Sequence, residues 1–374
     1  MTATPLYGIE EEVFILEPDR PTPRSLYYLA RLLWRDPRRY YTHSASNFSR
    51  GRDLRYGLMS GVEISTGKHD SIRGLVQDLA ERRRDLAGVS QGLLCAVGNL
   101  PDTAEPTNTC GMHLHVSGVD RQIAYRRLVR YLAVFALALA HAPYAEGRRF
   151  GQSYRWINSY SLGPLRADPA YRFQDLIWSR RLGTLEVRVF DPSPDLGRVA
   201  AVLECLHRLL ALPGGYTPAD HQAEEPARAR YNSMRQHLAR LRSCHPDRHR
   251  PGVPCAGGTG EDPDPSHAGR EATVAGGHTT DSYLETLVRE LEELTGFAPD
   301  WLAHTPADAT AALLEEKGRR ETYLTLDAVY RRWAGASPWD GRQIPLLLGA
   351  VGGLLGYYLP RLPYTIWKAW REWC

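Results

Sequence analysis

GIEEEVFIL, residues 8–16, sets three carboxylates in a row between Ile9 and Val13, inside a run that is otherwise apolar. Successive side chains of a strand alternate between its two faces. Ile9, Glu11, Val13 and Ile15 therefore share one face, while Glu10 and Glu12 point to the other. The alternation predicts a core strand over residues 5–17 with a second, chemical face.

Three other segments repeat this division. In LMSGVEIST, 58–66, Val62 and Ile64 oppose Glu63 and Ser65. In GMHLHVSG, 111–118, Leu114 and Val116 oppose His113, His115 and Ser117. In GTLEVRVFD, 183–191, Leu185, Val187 and Val189 oppose Glu186 and Arg188. If the four strands share one sheet, one face gathers Glu10, Glu12, Glu63, Glu186, His113 and His115. Four close carboxylates repel one another, and a divalent cation relieves that repulsion. A set rich in oxygen and poor in imidazole suits Mg²⁺ or Mn²⁺ better than Zn²⁺. Arg188 then becomes a partner for an anionic substrate group. Taken singly, each segment is also an ordinary amphipathic strand with solvated or ion-paired charges. The chemistry rests on the coincidence of all four.

The 374 residues suffice for one large domain or two ordinary ones. A net charge of +3 argues against nucleic acid as a partner. The basic residues are nearly all Arg, with Lys only at 68, 317 and 368, so anion recognition falls mainly to guanidinium groups. Six cysteines without CxxC pairs, and an N-terminus lacking a basic-then-apolar leader, point to a reducing cytoplasm. Cys110 reads as a small buried apolar residue.

Helices are expected at 24–34, 71–92, 120–142, 197–211, 281–295 and 307–334, and a further strand at 93–98. Residues 245–281, rich in Gly, Pro, His and Asp, lose all apolar periodicity and read as a flexible insert. Cys244, His245, Cys255 and His267 fit no usual zinc spacing, and GGTG at 257–260 lacks the strand and GK[ST] of a phosphate loop. The expected organisation is a core over 1–244, the insert, and a helical segment over 282–374 that completes the same domain. The apolar run 343–360 and its aromatic, basic tail read as a buried C-terminal helix with an amphipathic end; membrane contact by 343–374 is the second reading.

The order GIEEEVFIL, GVEIST, GMHLHVSG, SYR and GTLEVRVFD resembles the glutamate–cysteine ligase family, in its bacterial carboxylate–amine ligase branch. The likeness covers residues 6–212, with a weaker echo in EEPARARYNSM, 224–234. It implies an α+β fold related to glutamine synthetase, with a curved, mostly antiparallel sheet forming a funnel and helices packed outside. It implies that ATP phosphorylates a carboxylate, commonly the γ-carboxylate of glutamate, and that an amine displaces the phosphate. By position, Glu10, Glu12, Glu63, His113 and Glu186 match the family's metal ligands, Glu186 with a catalytic part. Arg188 matches an Arg suited to the phosphoryl group or a carboxylate, and Arg155 in SYRWINSY a substrate-binding Arg, both serving catalysis and nucleotide binding. ATP, Mg²⁺ or Mn²⁺, and small-molecule substrates are the implied ligands, and a homodimer is compatible with the likeness. Glu11 is expected to pair with an Arg of the opposite layer.

Two departures stand out. Tyr56 occupies the place of another acidic ligand, with Asp53 three residues earlier, and STGKH, 65–69, lacks the family's Pro after its Ser/Thr pair. They suggest a different acceptor amine, a larger substrate, or a ligase-like scaffold without turnover. A separate alternative is a metal-dependent hydrolase built on His113, His115 and the carboxylates.

Overall fold

The computed structural model describes residues 4–16, 25–36, 39–40, 45–48, 61–101, 109–158, 162–163, 165, 174–213, 224–240, 273–274, 278–296 and 305–339, with isolated residues between 352 and 363. Tyr56, Asp53, Cys244, His245, Cys255, His267 and most of the C-terminal tail lie outside them.

The opening stretch forms β1 (Leu6–Leu16). It is the hub of an antiparallel sheet with β2 (Ala45–Phe48), β3 (Gly61–Ser65), β4 (Leu93–Cys95), β5 (Met112–Ser117), β8 (Leu176–Ser179) and β9 (Thr184–Phe190). The order is β2-β3-β1-β5-β9-β8. One edge of β1 pairs with β3 along Glu10–Phe14. Its other edge is divided, with β5 along Leu6–Glu11 and β4 along Phe14–Leu16. The four chemically divided strands are thus contiguous, as the shared-sheet expectation requires. β6 (Tyr144–Ala145) and β7 (Arg148–Arg149) form a small hairpin, as do β10 (Thr273–Val274) and β11 (His278–Thr279).

The apolar face is covered by helices. α1 (Ser25–Arg35), α2 (Ile72–Val89), α3 (Arg121–Ala138), α4 (Arg155–Asn158) and α5 (Leu196–Ala211) precede α6 (Glu224–Arg240), α7 (Thr280–Thr295) and α8 (Pro306–Ala334). Side-chain caps start them: Ser71 Oγ accepts from Gly74 N, Asp120 from Gln122 N and Ile123 N, and Asp195 from Arg198 N. α3 is buried on nearly every side and packs against α5, α6, α7 and β9, which explains its all-round apolar sequence. Ile9, Val13, Ile15, Val62, Ile64, Leu114, Val116, Leu185 and Val187 join Leu75, Leu79, Leu128 and Leu203 in the main core.

A second, smaller core lies on the other face. Phe14, Leu16, Cys95, Val97 and Cys110 pack there against Tyr323 and Leu326 of α8. α8 is broken at Gly318, whose φ of 76° only glycine adopts readily, so the expected continuous helix is two. Its second part is fixed by Asp327, which accepts from Leu94 N and pairs with Arg331. Among the described residues, no helix is long and apolar enough to cross a membrane.

The opening question has its structural answer. Glu11 is fully buried on the helix side, where Arg83 of α2 donates to both of its carboxylate oxygens. Arg83 also donates to Ser193 O at 2.8 Å and lies over the Tyr330 ring. The odd carboxylate anchors the layers, which leaves the even ones for the opposite face of the sheet.

Candidate functional site

The register orders the site face in rows across the strands. The first row sets Gly8 against His115, and His115 against Glu186. The second sets Ser65 against Glu10, and Glu10 against His113. The third sets Glu63 against Glu12, with Gly111 N donating to Glu12 Oε2 at 2.7 Å. A bulge interrupts the pairing of β5 with β9, because Leu114 faces Val187 while Met112 faces Phe190. It turns both Val189 and Phe190 into the core.

Glu10 is the centre. Its Oε2 lies 3.5 Å from His113 Nδ1 and 3.5 Å from His115 Nε2. His113 Nδ1 is 3.8 Å from Glu186 Oε1, to which Arg188 donates Nη1. Burial alone raises the Glu10 carboxyl, and the two imidazoles beside it more than reverse that, so it is held well below the usual carboxylate range. Burial likewise raises Glu186, and Arg188 followed by the imidazoles brings it below its ordinary value. Burial, then Arg188, lowers His113.

Glu10, His115 and Glu186 each offer one ligand atom, all within 4.8 Å of one another. The residues fit a divalent cation on a further observation. His115 Nδ1 sits 3.0 Å from Thr184 Oγ1, yet the buried Nε2 makes no hydrogen bond among the described residues. His115 is the residue that positional matching left out of the ligand set; of the matched residues, Glu10 and Glu186 fall in the closest group. Glu12, Glu63 and His113 extend along the same face.

Arg155 opens α4 and is held by Nη1 donating to Phe190 O at 2.9 Å. A Cβ on Gly111 would lie 2.5 Å from Arg155 Nη2 and 2.7 Å from His113 Nε2, so only glycine lets both groups reach the third row. Burial lowers the Arg155 pKa. Beneath it, Asp191 is fully buried, and burial pushes its carboxyl up to about 6 against the pull of Arg155 and of bonds from His141 N and Ser153 Oγ.

Sequence reading missed the polar ring behind Arg155 and Arg188. Arg188 N donates to Asp175 O, and the Asp175 carboxylate accepts from Tyr231 Oη at 2.7 Å and pairs with Arg235. Arg235 also donates to Trp156 O, next to Arg155. Tyr231 and Arg235 belong to the segment around EEPARARYNSM, so the motif echo was the available signal, without its target.

An antiparallel α+β sheet with one helix-covered face and one face of carboxylates, imidazoles and guanidiniums defines the class. Two solved structures share the architecture. Glutamate–cysteine ligase from Francisella tularensis, in complex with AMP, superposes with a TM-score of 0.57 at 12% identity, covering 97% of this chain and 94% of that one. A bifunctional glutathione synthetase from Pasteurella multocida gives 0.54 at 14% identity over 88% of this chain, which spans 52% of that longer protein. The chain has the fold of these ligases, as the motif order implied. No family model matches the sequence, and no curated protein does.

Proposed function

We propose that this protein is an ATP-dependent carboxylate–amine ligase that forms an amide, of the γ-glutamyl kind, through an acyl phosphate. The observation that carries the reading is the single sheet face on which Glu10, His115 and Glu186 converge within 4.8 Å, bordered by Arg188 and Arg155. The fold shared with a glutamate–cysteine ligase crystallised with AMP supports it.

In the first step a carboxylate oxygen attacks the terminal phosphorus of ATP, and the bond to the ADP oxygen breaks. In the second the amine nitrogen attacks the acyl carbon, loses a proton, and phosphate leaves. Such chemistry asks a protein for alignment and charge neutralisation more than for covalent participation. Glu10, His115 and Glu186 would hold Mg²⁺ or Mn²⁺, with Glu12, Glu63 and His113 along the same face. The ion supplies charge neutralisation at the phosphoryl oxygens when bound. Arg188 and Arg155 bind and orient the anionic groups, and their polar ring fixes their direction. Cysteine is the first acceptor to try. Cys95, Cys110 and Cys205 are buried free thiols, in keeping with a reducing cytoplasm.

The test is ADP release by the purified chain with ATP, Mg²⁺ and glutamate across a panel of amines beginning with cysteine. The expected result is amine-dependent release that falls at least a hundredfold in Glu186→Gln, about 3 kcal/mol of transition-state stabilisation. Absence of release with every amine, while ATP still binds, would overturn the ligase in favour of a scaffold.

A further inference from the structure

The cations described so far, Arg188 of β9 and Arg155 beside Phe190 and Gly111, stand on the β5–β9 side of the site face. The β3 side, next to Gly8, has a feature that the ligase reading does not use. Glu10 pairs with Ser65, but Tyr7 pairs with His69. Three residues, Thr66, Gly67 and Lys68, therefore stand against two, Ile9 and Gly8. Thr66 is spoken for by Ile9, whose O accepts from Thr66 N at 2.8 Å and whose N donates to Thr66 Oγ1 at 2.9 Å. Gly67 and Lys68 are left together opposite Gly8, as a two-against-one bulge.

The bulge is firmly built. Tyr7 N donates to His69 O at 2.8 Å and His69 N to Tyr7 O at 2.9 Å. Asp78 of α2 accepts from Gly67 N at 2.7 Å and lies 3.0 Å from His69 Nε2. Bulges re-aim side chains and are frequent beside active sites. By the alternation of β1, Gly8 lies on the face of Glu10 and Glu12. Of the two bulge residues only Lys68 has a side chain. It is exposed, and no ion pair is recorded for it among the described residues. Strands lie about 4.8 Å apart, so a lysine stem crosses roughly one strand, and Gly8 puts no side chain in its way.

One buried polar atom flanks the same lane. Ser65 is 8% exposed, and its Oγ makes no hydrogen bond among the described residues. Ser65 precedes the bulge on β3 and faces Glu10. An isolated carboxylate ligand there would meet the Glu10 carboxylate, which faces Ser65 from β1. A phosphate differs, because its several oxygens can meet an ammonium, a hydroxyl and a divalent cation at once.

Resting on the ligase reading, we infer that Lys68, with Ser65, forms a phosphate subsite for the nucleotide on the β3 side of the face, across β1 and β5 from Arg188. The chain that uses Arg almost everywhere else places here a compact point charge, which suits a phosphate oxygen shared with a metal ion.

The test measures binding to the full chain by calorimetry with Mg²⁺ present, using ATP, AMP, tripolyphosphate and glutamate as separate probes. The variants are Lys68→Met and Lys68→Arg. A hydrogen bond to a charged group predicts about tenfold weaker ATP and tripolyphosphate binding in Lys68→Met. Substantial recovery is expected in Lys68→Arg, with glutamate binding and melting temperature unchanged. AMP weakened as well places the first phosphate at Lys68; AMP unaffected places a later one. Either pattern sustains the subsite. Equal ATP affinity in wild type and Lys68→Met overturns it while leaving the ligase intact. A loss confined to glutamate overturns the phosphate assignment. Wild-type protein that binds neither nucleotide nor tripolyphosphate overturns both readings.

Discussion

Replacing Glu11 or Arg83 tests the reason for the three-carboxylate run. Both side chains are fully buried, and Arg83 donates to both Glu11 oxygens. Removing one partner strands the other in a low-dielectric interior, at a cost of about 3–5 kcal/mol. The two halves are unequal. In Glu11→Leu the guanidinium keeps Ser193 O, Pro194 O and the Tyr330 ring. Its cost belongs at the lower end, about 3 kcal/mol. In Arg83→Met the carboxylate keeps no recorded donor among the described residues, and the cost belongs near about 5 kcal/mol. The double variant Glu11→Leu/Arg83→Met removes both charges and retains comparable volume. It should cost much less than the sum of the two, about 2 kcal/mol or less. Urea unfolding of the three variants, followed by circular dichroism, reads this directly. The single variants should shift the midpoint by on the order of 1 M or more. Additive costs across the cycle, or single variants within about 0.5 kcal/mol of wild type, would refute the anchoring of β1 by this pair.

Three further outcomes are expected. Gly111→Ala should leave the fold in place while displacing Arg155 and His113 from the third row, since its Cβ would fall 2.5 and 2.7 Å from them. Ligase activity should fall at least tenfold, about 1.4 kcal/mol, with little change in melting temperature. Asp191 holds its proton up to about pH 6 when folded, against an ordinary 3.8 when unfolded. Folding therefore binds a proton between those values, and stability falls as pH rises through that window, by about 3 kcal/mol. Asp191→Asn should flatten that part of the stability–pH curve, and an unchanged slope would remove Asp191 as its source. Asp327→Ala deprives Leu94 N of its acceptor and Arg331 of its partner. It should destabilise by about 3 kcal/mol or more in the same urea assay, because it releases α8 from β4.

The strands and their two faces were legible in the residues because a strand's period of two is a local property. Glu10, Glu12, Glu63, His113, Glu186 and Arg188 could each be assigned a face without knowing any neighbour. That four such strands belong to one sheet was an inference from coincidence and motif order, and the pairing β3-β1-β5-β9 bears it out. An Arg partner for Glu11 could be anticipated because a buried charge demands one, but nothing local singles out Arg83 among the arginines of α2. The approach of His115 to Glu10 and Glu186 depends on registers between strands about 70 and about 105 residues apart in sequence, and alternation assigns both imidazoles to the same face with equal right. The Asp175–Tyr231–Arg235 ring joins segments that share no period. The bulges at Gly67–Lys68 and at Arg188–Val189 shift faces by one residue, which alternation cannot register because it counts along one chain and a bulge is a mismatch between two. Local periodicity thus settles which side chains are offered to the site, whereas pairing across the sheet decides which of them meet.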